Sequence, residues 1–232
     1  MRRFHCSSVP EPGAQAELSA DVSHHVLQVT RVPRGSQLVV YDGTGRSAVA
    51  RLVDVRGGHA VVVVEALEDA REALAPLHAI LAVTKGARFE TALRMAVELG
   101  ATELWPVLAK RSVAKGDRRA RWLRVIDGAV SQSHRAASPV LHPLQPVPTV
   151  LALPAWNAIP TRWVCVPGAV AGPGSAGAAA VLIGPEGGWT DPEVAACVAA
   201  GWTPAGLGST VLRAETAVAA ALTRVRCAGP AE

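Results

Sequence analysis

The chain has 232 residues, half of them apolar, and a formal net charge of +4. That length can bury one large core or two modest ones, and the apolar runs stop short of the ~20 residues a membrane-spanning helix needs. A soluble protein with no membrane partner is therefore expected. Cys6, Cys165, Cys197 and Cys227 share no Cys-x-x-Cys spacing, which argues against a disulfide frame or a zinc site and for a reducing, cytoplasmic setting. Met1-Arg-Arg-Phe-His5 has no apolar segment or cleavage site behind it, so no secretory signal is expected. The charge is uneven, at −1 over residues 1–75, +6 over 76–150 and −1 over 151–232. In the middle third Lys110, Arg111, Lys115, Arg118, Arg119, Arg121 and Arg124 are opposed only by Asp117, a pattern that suits a polyphosphate partner as well as a solvated helical face.

In chain order, His24 and His25 come first; no further His/Cys cluster completes a metal site around them. Leu38–Tyr41, Ala48–Val55 and Ala60–Val64 read as strands, separated by the turn chemistry of Asp42-Gly-Thr-Gly45 and Gly57-Gly58. A small antiparallel sheet or barrel is expected. The polar stretch from Glu68 to Pro76 marks a domain boundary, placed at 72/73. Leu77–Val83 reads as a buried strand and Arg88–Leu99 as an amphipathic helix closed by Gly100, with Leu93, Ala96 and Val97 on its apolar face. Glu103–Leu108 is a further strand despite Pro106, and Asp117 to about Ser133 a basic helix. Prolines at 143, 146, 148, 154 and 160 mark irregular connections. Thr161–Val166 reads as a strand and 167–177 as a mobile Gly/Ala/Pro-rich loop. Alternating strands and helices imply a mainly parallel sheet.

The chemistry is expected near the carboxyl end. Val181-Leu-Ile183 is an apolar run that stops at Gly184-Pro-Glu-Gly-Gly188, and Thr190 and Glu193 then stand in capping-box spacing, with Pro192 in the first turn of a helix. Gly206-Leu-Gly208 repeats the layout, with Arg213 leading into a helix from Ala214 to Arg226. Neither loop carries the Gly-Lys-Ser/Thr of a phosphate-binding loop, and Gly184-Pro-Glu-Gly-Gly188 does not fit Gly-x-Gly-x-x-Gly. Ordinary strand-to-helix turns remain the competing reading. Ligands of α/β sheets bind beyond the carboxyl ends of strands, and Val166, Ile183 and Leu207 mark three such ends.

Gly184-Pro-Glu-Gly-Gly-Trp-Thr-Asp-Pro-Glu193 followed by Leu207-Gly-Ser-Thr-Val-Leu-Arg-Ala-Glu-Thr-Ala217 closely resembles the C-terminal signature of bacterial 16S rRNA uridine-N3 methyltransferases of the knotted SPOUT class. Lys85-Gly-Ala-Arg-Phe-Glu90, Glu98-Leu-Gly100, Lys110-Arg-Ser-Val113, Gln132-Ser-His-Arg135, His24–Arg31 and Tyr41–Gly45 follow in the family's order. Ser131 and Thr30 depart from it, standing where an acid and a leucine are expected.

The resemblance implies a PUA-like β-barrel RNA-binding domain over 1–72 and an α/β methyltransferase domain with a trefoil knot over 73–232. It implies S-adenosylmethionine as methyl donor, held by Val166, Leu182, Gly184, Pro185, Gly187, Leu207, Gly208 and Leu212, with no metal. Leu182, Leu207 and Leu212 are expected to sandwich the adenine. Arg213 is expected to steady charge on the uracil oxygens and Glu186 either to take its proton or to orient a water or the cofactor; the competing expectations are an ion pair of Arg213 with Glu215 or Glu186, and a Glu186 that simply favours the adjoining helix N-terminus. Arg31, Lys85, Arg88, Lys110, Arg111 and Arg135 are candidates for RNA contact or site architecture. 16S rRNA in the small ribosomal subunit and a second copy of the chain are the implied partners. Action on transfer RNA or on a ribose hydroxyl, and a catalytically silent RNA-binding module, remain open at this point.

Overall fold

Two sheets organise the chain, seen in a computed structural model that describes residues 1–68, 74–113, 117–172 and 177–227. The chain divides into two compact units, Met1–Ala73 with Val130–Ser138 and Leu74–Ala129 with Pro139–Glu232. The expected boundary at 72/73, and Lys115 of the basic cluster, lie outside the described residues.

In the first unit the three expected strands are β3 (Gln37–Tyr41), β4 (Ser47–Arg56) and β5 (His59–Leu67), an antiparallel meander with bulges in the β4–β5 ladder. Two short strands extend it. β1 (Arg3–His5) runs parallel to β3 and β2 (Gln15–Glu17) antiparallel to β5, giving the order β1-β3-β4-β5-β2. Alternate residues Leu38, Val40, Ala48, Ala50, Leu52, Ala60, Val62 and Val64 fill one face with Phe4, Leu18 and Val26, as the two-residue repeat of a half-buried sheet requires. Helix α1 (Ala20–His24) runs into a π-helical turn at His25–Val29, where Thr30 N and Oγ1 both donate to His25 O, at 2.8 and 2.9 Å. Thr30 thus closes that turn with a hydroxyl a leucine would lack. Ser131, the other departure from the family pattern, donates from Oγ to Arg3 O at 2.9 Å.

The second unit is built on a parallel sheet in the order β12-β10-β11-β6-β7-β8, with β9 beside β7. Its strands are β6 (Leu77–Ala82), β7 (Glu103–Leu108), β8 (Val140–Leu141), β9 (Gln145–Pro146), β10 (Thr161–Cys165), β11 (Ala179–Ile183) and β12 (Thr203–Ala205). Pro106 sits inside β7 without breaking it. Val107 O accepts from Val83 N on the β6 side and Leu104 O from His142 N on the other. By alternation Pro106 N also points to that other side, into the interval between β8, which pairs with Glu103 and Leu104, and β9, which pairs with Val107 and Leu108. The missing N–H therefore costs no ladder bond.

Helix α2 (Ala87–Glu98) buries Phe89, Ala92, Leu93, Ala96 and Val97, and α6 (Ala214–Cys227) packs against it. Gly100 closes α2 at φ +84°, and Arg226 Nη2 donates to its carbonyl at 2.6 Å. Helix α3 (Arg119–Gln132) carries Arg119, Arg121 and Arg124 of the basic cluster, and α4 (Val147–Leu151) with a 3-10 turn at Pro154–Ala158 fills the proline-rich connection. Trp156 and Trp202 anchor the core below it. Helix α5 (Asp191–Ala199) begins at a complete capping box of Thr190 and Glu193. No described helix is long and apolar enough to cross a membrane.

Candidate active site

Strands β12, β10 and β11 are parallel neighbours, so their carboxyl ends lie side by side and their exits can share one ligand. The loop leaving β11 is fixed from inside. The Trp189 ring folds back over Gly184, where a Cβ would stand 3.0 Å from the indole, and its Nε1 donates to Cys165 O at the end of β10 at 3.1 Å. Gly188 turns the chain at φ +68° while its N–H donates to Pro185 O. Outside, Arg111 Nη1 donates to Gly187 O at 2.8 Å and Trp189 O at 3.2 Å. Glu193 accepts from Lys110 N at 2.8 Å as well as from Thr190 N and Oγ1. Burial raises the pKa of Glu193, yet these hydrogen bonds outweigh it and hold the carboxyl below its ordinary range.

The second wall is a crossing of two backbones. Ala171 bridges Gly206, Gly206 N donates to Val170 O at 2.8 Å, and a Cβ on Gly206 would lie 1.9 Å from Ala169 O. Gly172 lies as tightly on the Trp163 ring, 2.7 Å from a virtual Cβ. Of the loop expected over 167–177, residues 167–171 are largely exposed and tied to Gly206 by the Ala171 bridge and the Val170 hydrogen bond; residues 173–176 lie outside the described set. Only glycine permits these approaches.

Between the walls is a cavity open to solvent, with about 620 Å³ of atom-free space. Val166, Gly184, Pro185, Leu207, Gly208 and Leu212 line it, as expected, and so does Glu186. Two expected residues do not. Leu182 points into the core with Ile80, Val164 and Ala180, because alternation along β11 turns Ile183 to the cavity and Leu182 away. Gly187 packs on Arg111 outside the loop, 3.2 Å from Arg111 Cβ to a virtual Cβ. Cys165, Pro167, Ile183, Trp189, Thr210, Val211, Ala214 and Ala217 also line the cavity. Of these, Ala214 and Ala217 were legible as small residues three apart on one face of α6. Burial pushes the Cys165 thiol up to about 12, so it faces the cavity as a neutral group and not as a nucleophile.

Glu186 Oε1 accepts from Arg88 Nη1 at 3.1 Å, which joins an expected proton acceptor to an expected RNA contact. Its ion-pair partner is thus Arg88. Arg213 is exposed between Leu212 and Ala214, and among the described residues its guanidinium has no partner. Lys85 and Lys110 are exposed, whereas Arg111 is a clamp on the loop. In the first unit Arg31 is exposed at φ +48° and its Nε donates to Gln28 O at 3.4 Å; Arg135 is half-buried. Among the described residues no group of three or more His, Cys, Asp or Glu side chains is placed to hold a metal ion.

A glycine-lined cavity at the carboxyl ends of a parallel sheet defines the class, and the comparisons with known proteins place the chain within it. Residues 71–226 match a family described as RNA methyltransferase domain. The ribosomal RNA small subunit methyltransferase E of Synechocystis is 33% identical over 224 residues, covering 91% of this chain and 73% of that protein. Among solved structures, a methyltransferase from Legionella pneumophila in complex with the cofactor SAM aligns with TM-score 0.87 at 27% identity, covering 95% of both chains. The ribosomal RNA small subunit methyltransferase E from Neisseria gonorrhoeae bound to S-adenosyl methionine aligns with TM-score 0.85 at 27% identity, covering 96% of this chain and 95% of that one. The chain belongs to the small-subunit rRNA methyltransferase E family of the SPOUT class.

Proposed function

We propose that the chain transfers a methyl group from S-adenosylmethionine to N3 of a uridine in the 16S rRNA of the small ribosomal subunit. The observation that carries this reading is the cavity shared by the exits of β10, β11 and β12, with Glu186 on its lining and Arg213 in sequence between the lining residues Leu212 and Ala214. The residues fit the cofactor. Val166, Ile183, Leu207 and Leu212 offer apolar surface to an adenine, and Gly184 and Gly208 bring backbone to the ligand without an intervening side chain.

The bound cofactor supplies a methyl group already activated by its sulfonium charge, which leaves the protein positioning and electrostatics. Neutral uracil carries a proton on N3 that must leave before or during attack. Glu186 receives that proton, directly or through a water, while Arg88 holds its carboxylate in place. Arg213 offsets the negative charge that develops on the uracil oxygens. Lys85, Arg88 and Lys110 present exposed charge to the RNA backbone, and Arg31 does so from the first unit, where Arg135 is half-buried.

The same reading gives the architecture as a PUA-like barrel over 1–72 and a knotted methyltransferase domain over 73–232. The close passage of residues 169–171 across Gly206 supports a threaded chain. Val170 and Val211, 85% and 82% exposed in the loops around the cavity, support a homodimer that covers them. The setting is cytoplasmic.

The test is nucleoside analysis of unmethylated small-subunit rRNA after incubation with the purified protein and labelled cofactor. N3-methyluridine is the expected product. Label on ribose or only in transfer RNA would overturn the substrate, and no label at all would overturn the activity.

A further inference from the structure

We infer that the first unit holds a separate groove for one unpaired nucleotide of the RNA substrate, where β1 and the π-helical turn meet residues 131–134. The inference rests on the RNA-methyltransferase reading above. The groove is open to solvent, with about 560 Å³ of atom-free space. Phe4, buried, lies in its floor and meets the His25 ring edge-on at 5.8 Å between centroids. Around it stand Arg2, Arg3, His25, Gln132 and His134, and among the described residues no Asp or Glu lines it.

Three of these side chains are uncommitted. His25, Gln132 and His134 are exposed, and among the described residues their side-chain polar atoms have no hydrogen-bond partner. Arg2 is held in place by donating to Thr30 O. Arg3 is 4% exposed and bonds Glu68 through Nη1 at 2.9 Å, yet its Nε is buried without a partner. The charge of Arg3 is met by Glu68, so the groove's free polar groups are those of His25, Gln132 and His134.

The backbone adds an independent sign. Among the described residues only Arg31 and His134 adopt left-handed φ without being glycine, at +48° and +58°. His134 lines this groove and Arg31 directly follows Thr30, which also lines it. Backbone held in such costly regions gathers at sites of function. Two exposed imidazole planes, a guanidinium and a carboxamide are the groups that stack on an unpaired base, read its edge and take its phosphate.

The experiment uses the full chain, with an rRNA transcript as substrate and three variants, His25→Ala, Gln132→Ala and His134→Gly. Glycine accepts the left-handed backbone at 134, so the last variant removes the ring without straining the fold. We expect KM for the transcript to rise about tenfold for the histidine variants, with kcat at saturating transcript, cofactor affinity and melting temperature held within error. An unstructured oligoribonucleotide should compete with the transcript for the wild-type chain and lose that ability against the variants. Wild-type KM in all three variants, or competition by an acidic peptide or an RNA duplex in place of the single strand, would overturn the groove. Absence of methyl transfer by the wild-type chain would instead overturn the reading beneath it.

Discussion

Replacing Gly206 by alanine probes the crossing on which the cavity depends. The added methyl carbon would stand 1.9 Å from Ala169 O, against the 3.4 Å at which ordinary contact begins. The obstacle is backbone, so no side-chain rotation relieves it. Overpacking of this kind costs about 1–3 kcal/mol. Parting the two backbones also breaks the Gly206 N to Val170 O bond, leaving a buried donor unpaired for about another 1–3 kcal/mol. The sum, about 2–6 kcal/mol, corresponds to a melting temperature lower by roughly 4–24 °C for a chain of this size. Cofactor affinity should fall with it, because Pro167 and Leu207 on either side of the crossing line the cavity. Gly128→Ala is the control. A Cβ there meets nothing within 4 Å on an ordinary helical backbone, and the change should be neutral or slightly stabilising. Thermal melts and calorimetry with S-adenosylmethionine read both quantities. A Gly206→Ala protein with wild-type melting temperature and affinity would refute the reasoning.

Trp189→Phe removes the indole N–H that binds Cys165 O and strands a buried acceptor, so about 1–3 kcal/mol of stability should go and cofactor affinity should drop by calorimetry. Glu193 titrates below its ordinary 4.5 when folded, so its contribution is complete above that pH and disappears as pH falls through the folded value. Denaturant melts should therefore show a Glu193→Ala deficit of about 1 kcal/mol at pH 7 that closes toward acid; a deficit independent of pH would contradict the assignment. Glu186→Gln should lower kcat by about a hundredfold or more if its carboxylate takes the proton, with cofactor affinity intact and part of the rate restored at high pH. Equal turnover would remove that role and leave Glu186 an ion-pair partner of Arg88.

Much of the second unit was legible because its signals are long or chemically specific. The run ending at Ile183, the capping box of Thr190 and Glu193 and the helix after Arg213 stand where composition and spacing put them. β1 and β2 escaped notice because three residues carry no periodicity to read. The π-helical turn at His25–Val29 rests on a Thr30 hydroxyl and not on a pattern. Leu182 was assigned to the cavity on hydrophobicity, when one residue of register separates core from ligand in a strand. Arg111 was legible as a cation but not as a clamp, since its partners are carbonyls some 76 and 78 residues away in sequence. Gly206 and Gly172 show the same limit: sequence marks a glycine, and only tertiary packing says what approaches it.

The most direct test of the central claim is a crystal structure of the chain with S-adenosylmethionine. The adenosine is expected against Val166, Ile183, Leu207 and Leu212, with the sulfonium methyl turned toward Glu186. Cofactor bound elsewhere, or a cavity that stays empty at saturating ligand, would contradict it.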